Sequence, residues 1–221
     1  MAISPELQVL RRRRGFLASL SLAATGAFVV ALLMLHIANI GHEPIHMSQF
    51  ANSRFGLLWA LAVYTFIVGG AMLVWALRPQ LSDCPSKKAG LWMLGLAGIA
   101  AILLAAFPAD ETFPLTLTGE IHDRAALTAF VLLGASMVVL APAFRSSPSL
   151  GPFASVSLIL GLLVTLSWAT YLAMTLAHFG MRGLAQRTLV AFIVTWFVLL
   201  ALRLLRRRAP LEAVRRLKAP A

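Results

Sequence analysis

Apolar residues run in six long blocks along the chain, at 16–40, 55–77, 90–107, 125–144, 153–177 and 188–205. Each block is about 18 to 25 residues long, enough for a helix to cross about 30 Å of hydrocarbon. The blocks lack the every-second-residue alternation of a half-buried strand and far exceed strand length. The pattern predicts an all-α polytopic membrane protein, a bundle of six transmembrane helices. It divides the chain into a basic N-terminal segment (1–15), a transmembrane domain (16–205) and a basic tail (206–221).

Composition supports this reading. The chain is 60% hydrophobic and 12% charged, whereas a soluble domain is about half apolar and about a quarter charged. The net charge of +11 would suggest a nucleic-acid partner in a soluble protein. Here the basic residues lie at the edges of apolar blocks, which is how membrane proteins use them. Nucleic acid is therefore excluded as a partner, and membrane lipids are expected.

Counting basic residues orients the bundle. With both termini in the cytoplasm, 15 of the 19 Lys and Arg residues fall inside, leaving Arg54, Arg124, Arg182 and Arg187 outside. The positive-inside rule thus predicts cytoplasmic termini for a multi-pass protein of the cell membrane, a bacterial inner membrane. The first block follows Arg11–Arg14. It is longer than a signal-peptide core and no small-x-small cleavage site follows it, so it is read as a retained helix. The tail RRRAPLEAVRRLKAPA is read as a solvated stop-transfer segment, with adsorption on anionic lipid as the alternative.

Polar chemistry is confined to one side. The middles of the blocks hold no Asp, Glu, Lys or Arg, which argues against an ion-coupled transporter or pump. Small residues inside them predict helix contacts. They are Gly69-Gly70, Gly95 with Gly98, Gly134 with Ser136, and Ser155, Ser157, Gly161, Thr165 and Ser167. The lone Cys84 allows no internal disulfide. The three predicted outer loops (41–54, 108–124 and 178–187) carry Glu43, Asp110, Glu111, Glu120 and Asp123, which are 5 of the 8 acids. They also carry His42, His46, His122 and His178, with His36 about one turn below.

Several constellations follow from that gathering. His42-Glu43-Pro44-Ile45-His46 matches the zinc-protease pattern H-E-x-x-H, which requires a helix to bring both histidines to one face. Pro44 and the loop setting argue against that helix. Asp110 and His122 are candidate catalytic acid–base groups. Together with His42 and His46 they could hold zinc. Facing histidines could ligate haem, and His36 with His178 are the best placed by depth, though the facing axial geometry haem needs is not legible in sequence. A structural reading competes with these. Thr118 would cap the fourth helix, while Glu120 and Asp123 oppose the positive end of its dipole. Arg187 would pair with an outer carboxylate, Asp110 or Asp123, or with a lipid phosphate, in a polar cluster that includes Gln186.

The order of features also resembles a known family. FPAD (107–110) is followed by GEIHD (119–123) opening a span. GLAQR (183–187) then opens the last span, ahead of Trp196, and MSQFANSRFGLLW (47–59) precedes the second. This is similar to the bacterial and archaeal membrane family termed domain of unknown function 998, over roughly residues 16–205. The matching positions are Ser48, Gly56, Phe107, Pro108, Asp110, Gly119, His122, Gly183, Leu184, Gln186 and Arg187. The resemblance implies an integral membrane bundle and no particular activity, and it does not require H-E-x-x-H. It marks Asp110, His122, Gln186 and Arg187 as the polar set.

Two functional classes remain open. One is a module that binds or senses lipid, or a protein partner, beneath a polar cluster. The other is a membrane-embedded hydrolase of lipid or amide substrates, with a metal or acid–base site at the outer face.

Overall fold

A computed structural model describes residues 5–40, 46–110, 114–177 and 181–206. They form six long helices, with no strand among the described residues. The helices are α1 (Pro5–Ala38), α2 (Gly56–Leu77), α3 (Pro85–Ala106), α4 (Leu117–Arg145), α5 (Phe153–Leu176) and α6 (Arg182–Arg206). All six are long and apolar enough to cross a membrane. Even the shortest, at 22 residues, is about 33 Å long.

Each helix packs on the next, and α1 also packs on α6, so the bundle closes on itself. The even count brings the start of α1 and the end of α6 to one end, here called the arginine end. The histidine end carries the α1–α2, α3–α4 and α5–α6 connections. Large apolar side chains such as Leu33, Leu57, Trp92, Leu162 and Leu176 point outward. In water such a surface would demand a partner, whereas lipid tails match it.

With no hydrophobic force between helices in lipid, close contact comes from small side chains. A Cβ on Gly69 would stand 2.8 Å from Ala24 Cβ of α1. Gly134 and Gly161 face each other across α4 and α5, where a Cβ on Gly161 would stand 2.9 Å from Met137 Cβ. Ser157 Oγ donates to Met137 O at 2.7 Å and accepts from Trp196 Nε1 at 2.9 Å, linking α4, α5 and α6 deep in the core. Gly95 and Gly98 differ from expectation, since no atom of another helix lies within 4 Å of a Cβ placed there.

The helices outrun the apolar blocks. α4 starts at Leu117 and α6 at Arg182, so His122 and Gln186 are helical rather than in loops. The blocks mark the hydrocarbon. Helical hydrogen bonding continues past them, where the buried His122 and Gln186 find partners in neighbouring segments. The N-cap of α4 is Thr116, not Thr118, and its side chain accepts from Gly119 N. Residues 207–221 lie outside the described residues, and with them most of the basic tail.

Candidate polar site at the histidine end

The 3₁₀ turn Met47–Asn52 lies across the histidine end and is tied to three other elements. Gln186 Oε1, buried on α6, accepts from Met47 N at 2.7 Å. Asn52 Nδ2 donates to Ala109 O at 2.8 Å. Tyr171 on α5 meets His46 just before the turn, its hydroxyl 3.2 Å from Nδ1 and the two rings edge to face.

The FPAD and GEIHD segments close on each other. Asp110 accepts from Thr116 twice, from its backbone N–H at 2.5 Å and from its hydroxyl at 3.1 Å. A carboxylate here opposes the positive end of the α4 dipole. Gly119 makes the approach possible, because a Cβ there would collide with the Asp110 carboxylate. Three residues further along α4, His122 is 2% exposed and its Nδ1 lies 2.7 Å from Phe107 O. A carbonyl can only accept, so Nδ1 carries a proton here. Asp123 is within electrostatic reach of both His122 and Asp110.

Arg187 reaches across the bundle to α1. Its Nε donates to His36 Nε2 at 3.0 Å, while His36 Nδ1 donates to Leu32 O at 2.7 Å. Both nitrogens of His36 are thereby used, Nε2 as acceptor and Nδ1 as donor. Asp110, one of the carboxylates expected to pair with Arg187, serves as a cap for α4 instead. His178, the other histidine best placed for haem by depth, lies outside the described residues.

The end of the bundle is cationic around His46. Burial pushes this imidazole down from 6.5 to about 4, and Arg182, Arg187 and His122 add to the effect in that order. It is therefore neutral at physiological pH. His46 is extended at the start of the 3₁₀ turn, with φ −108° and ψ 141°. The H-E-x-x-H match therefore does not end on an α-helix, while His42 lies outside the described residues. Among the described residues, no three His, Cys, Asp or Glu side chains gather to hold a metal ion.

The six helices and this interlocked end match a family model described as "Protein of unknown function (DUF998)" over residues 22–203. The chain belongs to this family. The DUF998 match begins inside α1 and ends inside α6, so it includes the whole polar end. No curated protein and no solved structure matches the chain. Within this DUF998 protein, Asp110, His122, Gln186 and Arg187 all lie at the histidine end, each joined to another segment. Tyr171, Asn52 and Thr116 join them but were not singled out from sequence. Tyr171 had one signal, being one of only two tyrosines and near the end of an apolar block.

Proposed function

We propose that this DUF998 protein is a lipid-binding membrane module. A groove between α5 and α6 would take an acyl chain, and the interlocked histidine end would close the bundle above it. The groove carries this reading. It measures about 280 Å³ and is lined by Leu166, Ser167, Thr170 and Met174 of α5 and by Leu184 and Thr188 of α6, among others. It is mostly apolar, and methionine adapts to irregular shapes. Its walls belong to the same helices as Tyr171, Gln186 and Arg187. A groove this size is below the usual range for a compact drug-sized ligand, about 300–1,000 Å³, but suits a single flexible chain better than a folded protein partner.

The polar residues favour support over hydrolysis. Asp110 has both oxygens committed to Thr116 and His122 has a nitrogen committed to Phe107. By the positive-inside rule the histidine end faces outward and the arginine end faces the cytoplasm, in a bacterial inner membrane.

Native mass spectrometry of the full chain in mild detergent with added phosphatidylcholine tests the groove. The chain is expected to retain lipid, and Thr170→Trp or Thr188→Trp to lower retention about tenfold, equivalent to about 1.4 kcal/mol. Unchanged retention in both folded variants counts against the groove. Stoichiometric zinc that disappears in His122→Ala would move the assignment to a hydrolase.

A further inference from the structure

A second, larger cleft lies at the opposite end, between the foot of α1 and the end of α2. It measures about 530 Å³ and is lined by Arg11, Arg13 and Arg14 together with Leu17, Trp75 and Gln80, among others. α1 begins at Pro5 and stays helical through the four consecutive arginines. They therefore stand on a rigid element rather than in a loose tail.

Two of these arginines are oriented. Arg14 Nη1 donates to Gln80 Oε1 at 2.7 Å. The guanidinium carbon of Arg13 is 5.8 Å from the Trp75 ring centroid, within cation–π range. Trp75 is itself 64% exposed. An outward tryptophan in the last turn of a span is the usual anchor at headgroup depth. Among the described residues no carboxylate lines the cleft. One acid of the α2–α3 connection, Asp83, faces Lys87 and Lys88, at 3.9 and 3.3 Å.

We propose that this cleft binds the phosphate of an anionic phospholipid headgroup. Guanidinium forks recognise phosphate oxygens bidentately. Trp75 holds the Arg13 fork in place before a ligand arrives, which reduces the cost of ordering it, while Arg14, bonded to Gln80, adds positive charge. The adjoining surface suits acyl chains, since Leu10 and Phe16 are 56% and 61% exposed beside the arginines. A soluble phosphate ester would use the cation cluster but not this apolar flank. The site lies apart from the α5–α6 groove and does not depend on it. Its arginines also precede the stretch matched by the family model.

The test uses the full chain in mild detergent, with phosphatidylglycerol and phosphatidylcholine added in equal amounts and bound lipid read by native mass spectrometry. Phosphatidylglycerol is expected to be retained preferentially. Arg13→Gln and Arg14→Gln should each lower that preference about fivefold, equivalent to about 1 kcal/mol per basic group. Gln80→Leu and Trp75→Leu keep every charge and so guard against failed insertion. Both should lower the preference with unchanged thermal unfolding. In a second arm, brominated phosphatidylglycerol should quench fluorescence in the wild type more than in Trp75→Phe. Equal retention of the two lipids, or a preference untouched in all four substitutions, overturns the proposal. So does inorganic phosphate alone abolishing phosphatidylglycerol retention, which would assign the cleft to a soluble anion.

Discussion

His46 shows how one residue reports on its surroundings. Its native pKa of about 4 lies below the ordinary 6.5 because burial and the cations Arg182 and Arg187 oppose protonation. The unfolded chain therefore binds more protons across that interval, and stability rises with pH. The contribution is fully present above about pH 6.5 and is lost as pH falls toward about 4. Thermal unfolding in detergent should show a midpoint that falls between neutral pH and about pH 4.5, with a smaller fall in His46→Gln. Equal falls in both proteins would remove His46 as the cause. The H-E-x-x-H pattern places His46 among the candidate metal ligands. Its extended backbone and its contact with Tyr171 depend on where α5 comes to rest, and sequence spacing carries no trace of that.

At the scale of elements, glycine decides how closely segments approach. Asp110 can cap α4 only because Gly119 has no side chain in its way. Gly134 and Gly161 do the same for α4 against α5. Gly161→Leu would push atoms into Val138 and Met137, whose nearest atoms stand 2.8 and 2.9 Å from the first added carbon. Overpacking of this kind costs typically about 1–3 kcal/mol. The variant should unfold at a lower temperature, while Gly95→Leu, with open space at that position, should leave the midpoint near that of the wild type. If Gly95→Leu is the more damaging, Gly95 packs on another molecule. Both glycines looked alike in sequence as members of small-residue pairs. Which of them meets a neighbouring helix depends on helix rotation in the bundle.

For the whole molecule, the even number of helices brings Arg11–Arg14 and Arg203 to one end and the polar site to the other. Cys84, the only cysteine, belongs to the arginine end, in the α2–α3 connection and partly exposed. A hydrogen bond with Ser86, 3.3 Å away, lowers its thiol below the usual value and favours the reactive thiolate. With the arginine end cytoplasmic, as proposed from the positive-inside rule, a membrane-impermeant maleimide should leave Cys84 unlabelled in right-side-out vesicles and label it after permeabilisation. Labelling before permeabilisation would reverse the assigned orientation.

Sequence alone determined the solvent, the number of spans and the family. These follow from the length and apolarity of each block and from the order FPAD, GEIHD, GLAQR, which are local and need no knowledge of packing. It also marked Asp110, His122, Gln186 and Arg187 as the polar set. Only the tertiary structure decided whom they meet. Arg187 faces His36 across 151 positions and Gln186 meets Met47 across 139. Those pairings depend on α6 closing against α1 and against the turn before α2, a contact between distant parts of the chain. The arginine cleft has the same origin, since a run of four arginines becomes a site only where α1 meets Trp75 and Gln80.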